Sequence, residues 1–471
     1  MSAKLMGVTP PTPDTCRVLE LGCGSGVNLI SMAESLPKAK FIGVDLGGAH
    51  VKDGKKLINE LGLTNVELHE QNILEIDQEW GTFDYIIAHG VYSWVPPEVQ
   101  KHIFGLCEQQ LSPNGIAYIS FNTLPGWNSR GLVRKMIEYH LPKDLTASEC
   151  LQRSREFSAH MAAGLGMLSD PASVHLADEF NRVQSAEDYY FYHEYLEEFN
   201  EALFLDEFLE RADAHGLQFL GDGEIRLMLP GVGHPGIEGF LNSLSMDRVQ
   251  SQNYGDIVFN RTFRKTLLCR AEQKVANEIA RDAIQSFHAS TTAEFAFDGR
   301  HFCLRMPDAS KVDINGTAVK NAFEHLAKIS PNSVSVSDLI EIAGGDESET
   351  ELINALFAGV AAVPTGVIEL RSENQRFGTE IQERPEVSPL ARWQASRGFE
   401  AVTTRRNQSE SVDHLHRSLL VALDGTKTRS QLIENVMPQI RASGVVPDSP
   451  DAELLDLCLS HFAERALLIE N

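Results

Sequence analysis

The segment VLELGCGSGVNL, at residues 18–29, constrains this chain more than any other. An apolar run ends in Glu20, turns through Gly22, Gly24 and Gly26, and leads into NLISMAESL, whose apolar residues recur three and four apart. That pattern is a strand turning tightly into a helix, with glycines that permit the turn and let the backbone approach a ligand. The dinucleotide fingerprint spaces its glycines as GxGxxG. Here the third glycine comes one residue early and Val27 holds its expected place, which argues against NAD or FAD.

The surroundings extend the pattern. Short apolar runs predict strands over 18–21, 41–44, 66–69, 85–88 and 116–121, and NLISMAESL, KKLINELGL and VQKHIFGLCEQQL between them read as helices lying on a sheet. The result is a doubly wound α/β unit with parallel strands. After Leu141 the sequence becomes helical, acidic and Met-containing, through an aromatic cluster at 189–204. Within FLDEFLERADAHGLQFLGD an amphipathic helix stops at Gly216 and a strand follows, a pair able to close the sheet. Beyond residue 275, SDLIE with LINALF and VIELR resembles SQLIE with LLDLCL and LLIEN, which suggests an internal repeat of winged-helix-like order, joined by a polar stretch over 371–389.

Charge narrows the partners. The chain has 471 residues, with 41 Lys and Arg against 66 Asp and Glu, and residues 146–471 hold 29 of the basic and 50 of the acidic ones. A net charge of -25 argues against nucleic acid, whose binding rests on neutralising phosphates. The 7 cysteines form no CxxC pair, so neither a zinc site nor a disulfide framework is expected, and the compartment reads as reducing and cytoplasmic. No apolar run is long enough to span a bilayer, so no membrane insertion is expected.

Candidate ligand contacts fall at the carboxyl ends of successive strands, where open α/β sheets bind their ligands. FIGVD places Asp45 at the end of the second strand, where a carboxylate can accept both ribose hydroxyls. Gln71, Asn72 and Ile73 follow the third strand and can offer an amide to an adenine edge and an apolar contact to its face. The fourth ends in FDYIIAHGVYSWVP.

This set resembles the class I S-adenosylmethionine-dependent methyltransferases, whose first motif has an acidic residue two before a GxGxG turn, matched by Glu20, Gly22, Gly24 and Gly26. HGVYSWVP, LSPNGIAYISFNTLPGW, YHEYLEEFNEALFLDEFLERADAHGLQFL, NRTFRKTLLCR and LLVALDGTKTRSQLIE further resemble bacterial methyltransferases with an attached regulatory domain, among them the protein-lysine methyltransferases that modify rickettsial outer-membrane proteins. The resemblance implies a Rossmann-like methyltransferase core over 1–145, a helical regulatory or dimerisation region over 146–275 that supplies closing strands, and a C-terminal winged-helix-like α+β region over 276–471. It implies S-adenosylmethionine as cofactor and S-adenosylhomocysteine as product. Glu20, Gly22, Cys23, Gly24, Ser25, Gly26 and Asn28 would hold its methionine part, Asp45 and Leu46 the ribose, Asn72 and Ile73 the adenine, with His89 and Gly90 flanking it.

Two departures from the family pattern stand out. Many class I enzymes carry Asp where this chain has Asn72, which keeps an acceptor oxygen but removes the charge. Family members also carry some tens of residues ahead of the segment matching AKLMGVTPP. A leading segment of that kind would cover the cofactor, so the expectation from this start is a weaker hold on it.

Methyl transfer requires a neutral nucleophile, and a lysine amine with an ordinary pKa near 10.4 must first lose its proton. Tyr92, His89 and Asn122 are candidates for hydrogen bonding to it, and Trp94 and Trp127 for walls that steer the amine. The expected partner is a protein with accessible lysines. A small-molecule N- or O-acceptor, or a non-catalytic cofactor-binding regulatory protein, is the alternative, and length with the helical insert allows a homodimer. Tyr192, Tyr195 and Phe199 read as a buried helical stripe. His193 opens a string like HExxH, but Glu197 stands at the second ligand position, so no metal is expected. The Asn-Pro-Pro-Tyr motif of amino-methylating DNA enzymes is absent after the fourth strand, where WVPP stands.

Overall fold

A computed structural model describes residues 1–229, 235–244, 247–297, 301–305, 311–361, 367–444 and 447–469. The strands of the large sheet are β1 (Arg17–Leu21), β2 (Lys40–Asp45), β3 (Val66–Glu70), β4 (Phe83–Ala88), β5 (Leu111–Thr123), β6 (Ala202–Leu203), β7 (Leu217–Asp222) and β8 (Phe263–Arg270). Their order is β3-β2-β1-β4-β5-β8-β7, with β6 on β5. β2 with β3 and β4 with β5 run parallel, and β8 runs antiparallel to both β5 and β7. This is the Rossmann-like α/β sheet expected from the alternating pattern, and the strand after Gly216 does close it, with β8 as a second closing strand.

The described residues divide into two compact units. One comprises Met1–Val18, Cys23–Glu70 and Lys274–Asn471, and the other Leu19–Gly22 and Gln71–Gln273. In the first, helix Val27–Ser35 follows the glycine turn and helix Gly48–Leu61 follows β2. The second helix starts well ahead of the KKLINELGL segment that revealed it, because its first turns hold few apolar residues and pack instead through close approach. A Cβ added to Gly54 would lie 2.2 Å from the Ser25 carbonyl oxygen.

The same unit holds two helical sets with matching strand order. In the first, β9 (His288–Ser290) lies between β13 (Val334–Ser335) and β14 (Glu369–Arg371), all antiparallel, around helices Thr317–Ile329, Val336–Ala343 and Glu349–Ala361. A separate sheet, β10 (Glu294–Phe297), β11 (Phe302–Arg305) and β12 (Lys311–Ile314), precedes its first helix. In the second set, Glu386 bridges Asp424 and Val387 bridges Leu468, around helices His414–Ala422, Met437–Ser443 and Asp451–Glu464. Here the hairpin of β15 (Ala401–Thr403) and β16 (Ser409–Ser411) precedes the first helix. Leu415, Leu419, Leu432, Leu455, Leu459 and Phe462 form its core. Glu470 and Asn471, the end of the LLIEN segment, lie outside the described residues.

In the second unit, helices Trp127–His140, Ala147–Leu165, Pro171–Ser185 and Asp188–Leu196 share a core of Val133, Ile137, Phe180, Val183, Phe191 and Tyr195. Thr146 and Glu149 form a reciprocal capping box that starts the second of these helices. The expected buried stripe is corrected at two positions. Tyr195 is buried, but Tyr192 and Phe199 are 43% and 38% exposed. The buried pair is Phe191 with Tyr195, four apart on one face, whereas Tyr192 is turned a residue away and Phe199 lies beyond the helix end at Leu196.

The closing strands carry a buried ionic cluster. Arg264, wholly buried on β8, donates Nε to Asp256 at 2.6 Å and Nη2 at 2.8 Å, and its Nη1 lies 3.4 Å from buried Asp222. Burial raises the Asp222 pKa, against the pull of Arg264. Removing one member of such a cluster strands the remaining charges. Arg264→Met is therefore expected to cost about 3–5 kcal/mol, read by urea unfolding of the full chain.

Candidate functional site

The glycine turn is built for close approach. Gly22, Gly24 and Gly26 all have positive φ, at 67°, 57° and 70°. A Cβ on Gly22 would stand 2.4 Å from Val91 Cγ2, whereas one on Gly24 would meet nothing within 4 Å, so the backbone there borders open space. The Gly24 N–H donates to Asp45 Oδ2 at 2.7 Å, and the Gly47 N–H donates to Asp45 Oδ1 at 2.7 Å. Each carboxylate oxygen so engaged keeps a second acceptor site. Asp45 is thereby fixed in orientation and still able to accept two hydroxyls, and Leu46 beside it is 69% exposed. Cys23, Ser25 and Asn28 are partly or fully exposed around the same turn. Glu20 is buried at the end of β1.

The remaining candidates lie in the second unit. Asn72 Oδ1 accepts the Leu74 N–H at 3.0 Å and so caps the turn Ile73–Glu75. One of its acceptor sites is spent on local structure, and Ile73 is mostly buried. Gly90, with φ at 69°, donates its N–H to Ser120 Oγ at 2.8 Å. His89 Nδ1 is 3.3 Å from the Tyr118 hydroxyl, and its ring meets Phe263 edge-on at 5.8 Å. Burial, and then the Lys265 ammonium, lower the His89 pKa, so the imidazole is neutral at pH 7.

The loop after β4 is held by the segment that follows the aromatic helix. Asn122 N–H donates to Ser93 Oγ at 2.9 Å, the Glu201 N–H donates to the Ser93 carbonyl at 2.8 Å, and Gln100 Nε2 donates to the Tyr92 carbonyl at 3.0 Å. Arg211 makes a two-pronged contact with Glu201, 2.8 Å on each arm, and reaches Gln100 at 3.0 Å. Tyr92 is deeply buried between Phe104 and Phe208, and burial pushes its phenol up to about 12. Trp127 is also buried, with Arg130 over its ring at 5.2 Å. Trp94 packs edge-on against Trp127 at 6.0 Å and lies 4.4 Å from the His193 ring.

The structure thus gathers Trp94, Trp127 and His193 into one aromatic group and His89, Tyr118 and Phe263 into another, and it sets Tyr92 in the core. Sequence reading did not bring out Tyr118, which reaches His89 through the pairing of β4 with β5, or the Glu201–Arg211 pair, which joins residues ten positions apart. Lys265→Met is expected to raise the His89 pKa part of the way toward its ordinary 6.5, since burial remains. NMR titration of the His89 ring tests this, with an unchanged midpoint counting against the assigned role of Lys265.

Comparison with known proteins finds three family matches along the chain. Residues 13–184 match a methyltransferase domain, 187–270 a predicted methyltransferase regulatory domain, and 383–467 the C-terminal winged helix domain of PKMT. The chain is 30% identical over 457 residues to the uncharacterised protein RP789 of Rickettsia prowazekii, covering 93% of this chain and 82% of that one. Its structure is similar to that of PKMT2 from Rickettsia typhi, with a TM-score of 0.85 and 28% identity over 100% of this chain and 97% of that one. The same PKMT2 in complex with AdoHcy gives a TM-score of 0.83 at 28% identity, again over 100% and 97% of the two chains. No helix among the described residues is long and apolar enough to cross a membrane. Matched in domain order and along nearly its full length, the chain belongs to the family of S-adenosylmethionine-dependent methyltransferases that carry a methyltransferase regulatory domain.

Proposed function

We propose that this chain transfers methyl groups from S-adenosylmethionine to lysine side chains of a protein substrate in the cytoplasm, releasing S-adenosylhomocysteine. The observation that carries the reading is the whole-length likeness to PKMT2, a protein solved with AdoHcy, together with an Asp45 carboxylate held by two backbone amides and a glycine turn open at Gly24. Residues 22–26, with Glu20 and Asn28, hold the amino-acid part of the cofactor. Asp45 accepts the ribose hydroxyls beside Leu46, Asn72 and Ile73 face the adenine, and His89 and Gly90 flank the remainder.

The bound cofactor supplies an electrophilic methyl group, and placement of a neutral amine in line with it provides much of the catalysis. Residues of this chain have two tasks toward the amine. Trp94, with Trp127 and His193 behind it, offers an aromatic wall that attracts an approaching ammonium. His89, neutral at pH 7 and anchored through Nδ1 by Tyr118, leaves Nε2 for a ligand. Asn122 holds the loop that carries Trp94 through Ser93, and Tyr92 supports it from the core.

The domain reading places the core at 1–145, the regulatory region with both closing strands at 146–275, and a duplicated winged-helix unit at 276–471. The common strand order of β13-β9-β14 and of the bridges at residues 424, 386–387 and 468 supports that duplication. A homodimer through the helical insert fits exposed Met167, Leu168 and Val174 on its surface.

Calorimetric titration with S-adenosylhomocysteine tests the cofactor site. Asp45→Ala is expected to weaken binding about 10- to 100-fold, the worth of hydrogen bonds to a charged acceptor. Mass spectrometry of lysine-rich proteins incubated with enzyme and cofactor then tests the acceptor. Cofactor binding with no methylated lysine, but with transfer to a small amine or hydroxyl, overturns the protein-lysine reading.

A further inference from the structure

The two helices that leave the cofactor loops are gripped at their far ends by the C-terminal winged helix. Helix Val27–Ser35 starts at the glycine turn, and helix Gly48–Leu61 starts three residues after Asp45. Near the end of the first, Glu34 accepts from Ser388 Oγ at 3.1 and 2.9 Å and from the Leu390 N–H at 3.1 Å. Ser388 is the cap of helix Pro389–Ser396 and is itself 1% exposed, so Glu34 completes the satisfaction of that helix start. Three residues earlier, Ser31 Oγ donates at 2.5 Å to Oδ1 of Asn407, a residue held at a φ of 58° in the β15–β16 turn. At the end of the second cofactor helix, Glu60 accepts from Trp393 Nε1 at 2.5 Å and from Arg397 at 3.2 Å, while the Arg397 guanidinium lies over the Trp393 ring at 5.1 Å.

One short helix and one hairpin turn therefore hold both helices whose opposite ends form the cofactor loops. Helices transmit a displacement of one end to the other, and binding geometry tolerates only about half an ångström of misplacement. We propose that Ser388 and Trp393 are positioning residues for the cofactor: acting through Glu34 and Glu60, they set the two helices so that cofactor affinity depends on the docked winged helix. This rests on the cofactor reading above. By linkage the dependence is mutual, and a bound cofactor must tighten the docking by the same factor. The winged helix is then a brace that senses cofactor occupancy.

The test combines two measurements on the full chain. Calorimetry with S-adenosylhomocysteine is expected to show Ser388→Ala and Trp393→Phe binding at least about 5-fold more weakly than wild type, with Ser388→Thr retaining affinity. In turnover the loss should fall on KM for the cofactor and leave kcat at saturation unchanged. Hydrogen exchange on the wild type, which needs no variant, is expected to show slower exchange in residues 390–396 when S-adenosylhomocysteine is added. Faster exchange there in the variants with unchanged ligand affinity overturns the coupling, as does a wild type that binds ligand with no change in those amides. A wild type that binds no S-adenosylhomocysteine overturns the cofactor reading and the coupling together.

Discussion

The geometry of the glycine turn depends on a single carboxylate. Asp45 receives one backbone amide from the glycine turn and another from the turn after its own strand. Those two bonds lock together loops that would otherwise be independent, and charge-assisted hydrogen bonds of this kind are stronger than neutral ones. Positive φ at three alternate residues, Gly22, Gly24 and Gly26, costs conformational freedom that a lone turn would not sustain. Asp45 offsets that cost from within the chain, which gives the loop pair a fixed shape.

In the second unit the same problem is solved from a distance. The loop after β4 has little regular structure of its own, and its shape is imposed by Ser93 contacts to Asn122 and Glu201 and by the Arg211, Glu201 and Gln100 network beneath it. Glu201 and Arg211 belong to the stretch matched by the regulatory domain. The regulatory region thus acts structurally as the floor of the loop that bears Trp94. A buried ionic cluster around Arg264 fixes the closing strands that complete this floor.

Sequence reading recovers what short-range pattern encodes. The five leading strands, the glycine turn, Asp45 and the strand after Gly216 are all visible, because alternation, glycine spacing and helix stops are local signals. Strand limits differ by a few residues where burial does not alternate, as in β5, which continues from Leu111 through polar residues at 112–114. Side-chain environment is less legible. Tyr92 and Trp127 look like loop aromatics in the linear sequence, yet both are core residues, since the regulatory stretch folds over them. Asn72 looks like a ligand contact and is also a cap. His193 fails as a metal ligand by spacing and gains a place only through its contact with Trp94, 99 positions earlier in the chain.

The bond between Glu34 and Ser388 joins residues 354 positions apart. Synthesis from the N-terminus delivers Glu34 long before Ser388 and Leu390, so its carboxylate lacks these partners until then. Contacts of such separation close late and slow folding. The glycine turn and the helix after it rest on local sequence, but the partners of Glu34 arrive only with the last quarter of the chain, so this support is the last part of that helix's surroundings to be made.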